Sequence, residues 1–163
     1  MKTSAEFSPD RIYRYALYRI WDDSLPLVMF IGLNPSVANE TENDRTISKC
    51  IRYAKSWGCG GLIMANIFAY CSTDRSKLRT VKKPVGDKND EWILKLSKRA
   101  KFIVAAWGTD GALFDRAEEI KKMNLDLYCL EVSIAGHPKH PLYLKSELKP
   151  KPFQFNRKQT IHE

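Results

Sequence analysis

The chain has 163 residues, of which 44% are hydrophobic and 28% are charged. Chains of this length and composition form one packed domain, which excludes disordered and fibrous proteins. The longest apolar run, residues 25–33, contains Pro26 and Gly32 and is too short to span a bilayer, and the N-terminus lacks the apolar core of a signal peptide. We therefore expect a single cytoplasmic domain over residues 1–163, acting as a monomer and without a membrane partner.

The charge of the chain indicates its partner. The formal net charge is +8, and basic residues are concentrated in residues 75–83 and in a C-terminal tail over about residues 145–163. Such clusters attract phosphate backbones by releasing counterions. A basic surface can also serve solubility alone, but the clustering favours a polyanion. The four cysteines contain no Cys-x-x-Cys pair, so we interpret them as reduced core residues and expect no metal site and no cofactor.

The first elements of the chain are predicted to be strands. Residues 12–21 alternate bulky and charged side chains, which is typical of a half-exposed strand. Residues 27–33 form a continuous apolar run, as expected for a strand buried on both faces. The polar residues Asp22, Asp23 and Ser24 indicate a turn between them. We therefore predict an N-terminal antiparallel hairpin.

The rest of the chain alternates strands and helices. Further buried strands are predicted over residues 61–70, 102–107 and 125–132. Helices are predicted from Asp44, as capping residue, to about Trp57, over about residues 88–99, and from the glycines at 108 and 111 to about residue 123. This alternation indicates a three-layer α/β/α sandwich around a central, mainly parallel four-stranded sheet, to which the hairpin strand is added.

Ligands of such sheets bind beyond the carboxyl ends of the strands. Four polar or aromatic segments follow the predicted strands and should converge on one cleft: residues 34–36, 66–68, 107–110 and 136–141. The amide of Asn34 can hold a water or bind a base edge, or it can simply shape an Asx turn. Asn66 interrupts an apolar run, where an amide is costly to bury unless its hydrogen bonds are satisfied. It can read a planar ligand stacked on Phe68 or Tyr70, or it can tie loops together.

Two histidines lie in the last of these segments. His137 and His140 are separated by a proline and a lysine, and either imidazole can stabilise a developing oxyanion or carry a proton. Idle surface histidines are the alternative. Asp44 and Arg45 can form a substrate-clamping element, but helix capping is the simpler interpretation of Asp44.

The same segments carry two family resemblances. The segments Leu33–Asn34–Pro35–Ser36, Asn43–Asp44–Arg45–Thr46–Ile47 and Asn66–Ile67–Phe68–Ala69–Tyr70, with Ala106–Trp107–Gly108 and Gly136–His137–Pro138, resemble a bacterial and phage family known as domain of unknown function 1643. The resemblance covers nearly the whole chain and implies no activity.

The second resemblance is to the uracil-DNA glycosylase superfamily. Gly32–Leu33–Asn34–Pro35–Ser36 is similar to its first active-site motif, in the version where an amide replaces the water-activating carboxylate, and Asn66 is placed like its base-reading asparagine. Residues 104–112 look like its third strand and following helix. Residues 136–142 resemble its His-Pro loop, with an extra residue that leaves either His137 or His140 as the counterpart.

These resemblances imply a DNA base glycosylase that hydrolyses the N-glycosidic bond of an extruded, modified or damaged base. Alternatives are a non-catalytic nucleic-acid-binding module of phage DNA modification or defence, and an enzyme acting on free nucleosides or nucleotides. The catalytic residues would be Asn34, His137 and His140. The base would contact Gly32, Pro35, Ser36, Asn66, Phe68 and Tyr70. The nucleic-acid backbone would contact Arg45, Arg75, Lys77 and Lys139.

Overall fold

The computed structural model describes residues 1–155, which form a seven-stranded sheet with helices on both of its faces. The strands are β1 (Lys2–Phe7), β2 (Arg14–Ile20), β3 (Leu27–Gly32), β4 (Gly61–Asn66), β5 (Phe102–Ala105), β6 (Leu127–Cys129) and β7 (Lys151–Pro152). The helices are α1 (Arg45–Ser56), α2 (Asn89–Ser97) and α3 (Arg116–Lys121). Short 3-10 helices span Arg75–Arg79, Thr109–Asp115 and Pro141–Tyr143. None of the described helices is long and apolar enough to cross a membrane.

The centre of the sheet is parallel, as the alternation of strands and helices predicts. The strand order is β1-β2-β4-β3-β5-β6-β7, and β4, β3, β5 and β6 run parallel to one another. The sheet is nevertheless larger than predicted. Antiparallel strands β1 and β2 extend it at one edge and β7 extends it at the other. β1 is polar and β7 has two residues, so neither has the apolar pattern that identifies the central strands.

The predicted pairing of the first two apolar strands is wrong. β2 pairs with β1 on one side and with β4 on the other, so β4 lies between β2 and β3. The physical reason is that both edges of β3 are already hydrogen-bonded, to β4 and to β5. β2 therefore has no free edge of β3 with which to form the expected hairpin.

Side-chain alternation along the central strands builds two cores. In β3, Val28 and Phe30 pack with α1 on one face, while Met29 and Ile31 pack with α2 and α3 on the other. Three of the four cysteines are buried and Cys71 is partly buried, and all four are free thiols. Their burial agrees with the interpretation of the cysteines as core residues.

Helix α1 begins after the predicted capping residue, but the helix predicted after β5 begins later than expected. Asp44 caps α1, with its side chain accepting a hydrogen bond of 2.9 Å from the backbone of Ile47. The predicted helix from Gly108 onward is broken instead. Leu113 is extended, and Phe114 and Asp115 both have the left-handed backbone conformation, so α3 begins only at Arg116.

Candidate functional site

The segment that follows β3 and the last residues of β4 meet the N-terminus of α1, His140 and Pro141 in one narrow cleft, which we call the polar cleft. Its volume is about 50 Å³. Its lining residues are Arg14, Gly32, Leu33, Asn34, Pro35, Ser36, Asp44, Thr46, Ile47, Met64, Asn66, Ala106, His140 and Pro141. Six sequence-predicted residues are therefore brought together here: Gly32, Asn34, Pro35, Ser36, Asn66 and His140.

Asn66 is the most unusual of these residues. Its side chain is 4% exposed, and its amide nitrogen Nδ2 is buried without a hydrogen-bond partner in the described part of the chain. Gly32 lies directly opposite Asn66 in the parallel pair of β3 and β4. A Cβ atom at residue 32 would stand 2.8 Å from Asn66 Oδ1. Glycine at this position therefore makes room for the amide.

Asn34 is held differently. Its Nδ2 donates to the main-chain carbonyls of Pro35, at 3.0 Å, of Ser72, at 2.9 Å, and of Tyr70, at 3.4 Å. The amide nitrogen thus ties the segment after β3 to the segment after β4. Only the amide oxygen of Asn34 remains as its polar atom for a ligand, because the nitrogen is committed to these carbonyls.

His140 rather than His137 lines the polar cleft. Its Nδ1 accepts a hydrogen bond of 3.2 Å from the backbone of Leu142, which places the proton of the neutral ring on Nε2. Burial, which removes water from the imidazole, lowers the pKa of His140. The positive charge of Arg75 lowers this pKa further, and the negative charge of Asp44 raises it. The imidazole is therefore a neutral hydrogen-bond donor at neutral pH.

His137 lies in a neighbouring cavity of about 280 Å³, which shares His140 with the polar cleft. Arg75 and Lys139 line the same cavity, and Arg75 Nε lies 3.3 Å from Asp110 Oδ2. The two predicted backbone-contacting residues Arg75 and Lys139 thus lie together beside His140. This cavity combines cationic side chains with one carboxylate, that of Asp110.

Sequence reasoning missed the one cationic residue among the described residues that line the polar cleft and underestimated their one carboxylate. Arg14 is 2% exposed, and desolvation by burial lowers its pKa to about 10, so it stays charged at neutral pH. It donates from Nη1 to the carbonyl of Ala38, and its buried Nε has no partner among the described residues. Asp44, the helix cap, also brings a carboxylate to the cleft. The half-exposed strand predicted over residues 12–21 gives no indication that Arg14 is buried.

A second buried arginine of β2 organises the approach to Asp44. Arg19 is fully buried and donates to the carbonyls of Asn39, at 2.6 Å, and Glu42, at 3.1 Å, and to the side chain of Asn43, at 2.8 Å. These bonds fix the segment that leads into the cap of α1. Arg19 is therefore a positioning residue for Asp44.

The remaining predicted residues lie elsewhere. Phe68 is fully buried in the core, so no base can stack on it. Tyr70 packs edge-on against Tyr13, with ring centroids 6.2 Å apart, rather than facing the cleft. Arg45 and Lys77 are exposed, and the Arg45 guanidinium lies 5.8 Å from the ring centroid of Tyr143.

Two further expectations concern the tail and metals. The tail residues from 156 to 163 lie outside the described part of the chain. Among residues 1–155, no group of three or more His, Cys, Asp or Glu side chains is placed to hold a metal ion. The polar cleft is thus an arrangement of amides, one imidazole, one carboxylate and one guanidinium.

Comparison with known proteins supplies a family but no activity. Neither a curated protein nor a solved structure matches the chain. A family model described as a protein of unknown function (DUF1643) matches residues 14–142, a span that begins at Arg14 and ends just after Pro141. The span includes every residue that lines the polar cleft. Because it covers well over half of the chain, the chain belongs to the DUF1643 family.

Proposed function

We propose that the protein hydrolyses the N-glycosidic bond of an extruded, modified or damaged DNA base in the polar cleft. The observation that carries the proposal is the Nδ2 atom of Asn66, a buried donor without a partner among the described residues. Such a donor costs free energy unless a ligand oxygen accepts its hydrogen bond. The carbonyl oxygen of a base supplies that acceptor, and resemblance to the uracil-DNA glycosylase superfamily assigns the same role to an asparagine at this place.

The reaction needs a general base that accepts a proton from water and a hydrogen-bond donor that stabilises the departing nucleobase. Asp44 is the one carboxylate among the described lining residues, so we assign it to accept a proton as the water oxygen bonds to the sugar C1′. The bond between C1′ and the base nitrogen breaks, and its electron pair leaves with the base. His140 donates from Nε2 to the resulting anion. The amide oxygen of Asn34 orients the water.

The size of the cleft sets a condition on this reaction. A volume of about 50 Å³ accommodates little more than one or two waters, so a base must widen it. His140 separates the cleft from the cavity of about 280 Å³ beside it, and displacement of this side chain joins the two. Extrusion of a base costs a few kcal/mol and is easiest for a damaged or unpaired base.

One observation favours a second candidate, an enzyme acting on free nucleotides. Arg14 forms no ion pair among the described residues, and its Nε lacks a partner. A buried guanidinium of this kind favours a bidentate oxyanion such as a phosphate. The same position can instead hold the acceptor edge of a base.

The proposal is tested by alkali-induced strand nicking. Substrates are single- and double-stranded DNA containing uracil, mismatched thymine, hydroxymethylated bases or glucosylated bases, and release of free base from nucleotides is measured in parallel. We expect Asp44→Asn, Asn66→Ala and His140→Ala each to reduce cleavage about 10²–10³-fold, as is typical for loss of one such group. Asp126→Asn is the matched control for Asp44→Asn, because Asp126 is exposed and lines neither the polar cleft nor the cavity beside it.

The outcomes separate the candidates. Nicking that the three cleft variants reduce and the control retains supports the glycosylase. Base release from nucleotides without nicking of DNA assigns the second candidate. The glycosylase proposal is refuted if no substrate yields abasic sites with the wild type, or if Asp126→Asn is as damaging as Asp44→Asn.

A further inference from the structure

A second surface feature, which we call the basic groove, lies apart from the polar cleft. It has a volume of about 570 Å³. Its charged members are Arg79, Lys82, Lys83, Asp87, Arg116 and Glu119. Lys83 pairs with Asp87 at 3.3 Å, and Arg116 pairs with Glu119 and with Asp90. Arg79 and Lys82 form no ion pair among the described residues, so the groove retains unneutralised positive charge.

Phe114 supplies the groove with an exposed aromatic ring. The residue is 57% exposed, and its backbone φ is 56°, in the left-handed region that glycine tolerates and phenylalanine does not. Asp115 shares this conformation, with φ of 54°. Backbone strain of this kind costs about 1–3 kcal/mol per residue and clusters at binding sites. This strained backbone holds a large apolar ring in solvent, where packing does not offset the cost of the strain.

The groove is joined to the cavity beside His140 by two short elements. The 3-10 helix Arg75–Arg79 has Arg75 in that cavity and Arg79 in the groove. The segment Thr109–Asp115 likewise has Asp110 in the cavity and Phe114 in the groove. The Arg75–Asp110 contact ties the two elements together. The four-residue step from Arg75 to Arg79 spans about 8 Å.

We propose that the basic groove binds the single-stranded segment that flanks the target base, with an unpaired base stacked on Phe114 and phosphates held by Arg79 and Lys82. The location of the target base rests on the proposed function, whereas binding in the groove does not. Stacking on an exposed ring requires a free base face, which an intact duplex does not offer. The substrate class that follows is single-stranded DNA or a locally melted site.

The test is fluorescence anisotropy with a labelled oligothymidylate and with a duplex of equal length, over a range of salt concentrations. For the single strand, Phe114→Ala and Phe114→Leu should weaken binding about five- to tenfold, since both remove the stacking ring. Arg79→Glu with Lys82→Glu should weaken it further and flatten the salt dependence. Duplex binding should be weaker and should change little with Phe114→Ala.

Matched controls separate the groove from general electrostatics and from folding. Lys121→Glu with Lys122→Glu changes the net charge equally, at an adjacent exposed lysine pair outside the groove. Leu94→Ala removes a different exposed apolar side chain. Equal loss of binding in the control pair and the groove pair would overturn the proposal, as would wild-type affinity in both Phe114 variants.

Failure of the proposed function gives a different pattern. If Asp44→Asn abolishes nicking without changing binding of the oligothymidylate, and the groove variants lose that binding, both proposals stand. If no substrate is nicked but the groove variants still lose binding, the groove stands and the glycosylase does not. If nicking occurs and the groove variants bind and nick like the wild type, the groove proposal alone is lost.

Discussion

The absence of a side chain at Gly32 leaves the space that the Asn66 amide occupies. The amide of Asn66 lies over Gly32 at the carboxyl end of β4, within a strand whose other residues are all apolar or glycine. Its unpartnered nitrogen lowers the stability of the unliganded protein, because a buried donor without an acceptor costs about 1–3 kcal/mol. Under the proposed function, base binding and the stability of the unliganded protein are therefore opposed at this residue.

We expect Gly32→Ala to reduce the free energy of unfolding by about 1–3 kcal/mol, because the added Cβ would stand 2.8 Å from Asn66 Oδ1. In an Asn66→Ala background the same substitution should cost much less, giving a coupling energy of about 1 kcal/mol or more. Urea denaturation of the four proteins of the cycle measures this coupling.

Gly61→Ala provides the control for this cycle. The Cβ added there would stand 2.7 Å from the carbonyl of Arg19, a main-chain atom that no change at Asn66 removes. Its cost should be the same in both backgrounds. A Gly32→Ala cost that does not depend on Asn66 would show that the contact between the two residues is not the limiting one.

At the scale of elements, α1 connects stability to the polar cleft through its cap. Asp44 satisfies the backbone amide of Ile47 and at the same time lines the cleft. Asparagine is as good a capping residue as aspartate, but its amide cannot take a proton from water. The two roles of Asp44 can therefore be separated by one choice of substitution.

Asp44→Ala should lower the free energy of unfolding by about 1 kcal/mol through loss of the cap, and Asp44→Asn should change it by only a few tenths. Both variants should lose catalysis if the carboxylate is the general base. Thermal and urea unfolding give the first quantity, and the nicking assay gives the second. Retention of activity in Asp44→Asn would assign Asp44 to capping alone.

The elements also show what the sequence can predict. The apolar runs of β3, β4 and β5 are buried in the sheet as predicted. Of the polar segments at the strand ends, residues 34–36, Asn66 and His140 meet in one cleft, whereas residues 108–110 line the neighbouring cavity. How β2 pairs and where β1 joins the sheet depend on which strand edges remain free. A local sequence pattern carries no information about those edges. Burial of Arg14 and Arg19 was unpredictable for the same reason, because their acceptors are distant carbonyls.

At the scale of the whole molecule, His140 makes folding stability depend on pH. Its pKa is lowered in the folded protein, whereas the unfolded chain has the ordinary value of about 6.5. The unfolded state therefore binds more protons than the folded state between these two values, and stability rises with pH in that interval. The contribution is complete above about pH 6.5 and is lost as pH falls toward the lowered value.

We expect the wild type to lose more stability than His140→Asn when the pH is reduced from about 7.5 to about 5.5, on either side of the ordinary histidine value. Asparagine can accept the hydrogen bond from Leu142 in place of Nδ1, so stability at the higher pH should be similar. Urea denaturation at both pH values compares the two proteins. Parallel losses would show that other groups account for the pH dependence.

Arg19 has a consequence for how this protein tolerates sequence change. Most of its contacts are to main-chain oxygens, those of Asn39, Glu42 and Tyr18 among them. Every amino acid carries such an oxygen, so an acceptor survives when Glu42 is replaced by another residue that keeps the backbone path. The exposed side chains of the segment before Asp44 can therefore change, and with them the chemistry of this surface. The Asp44 carboxylate keeps its position in the cleft.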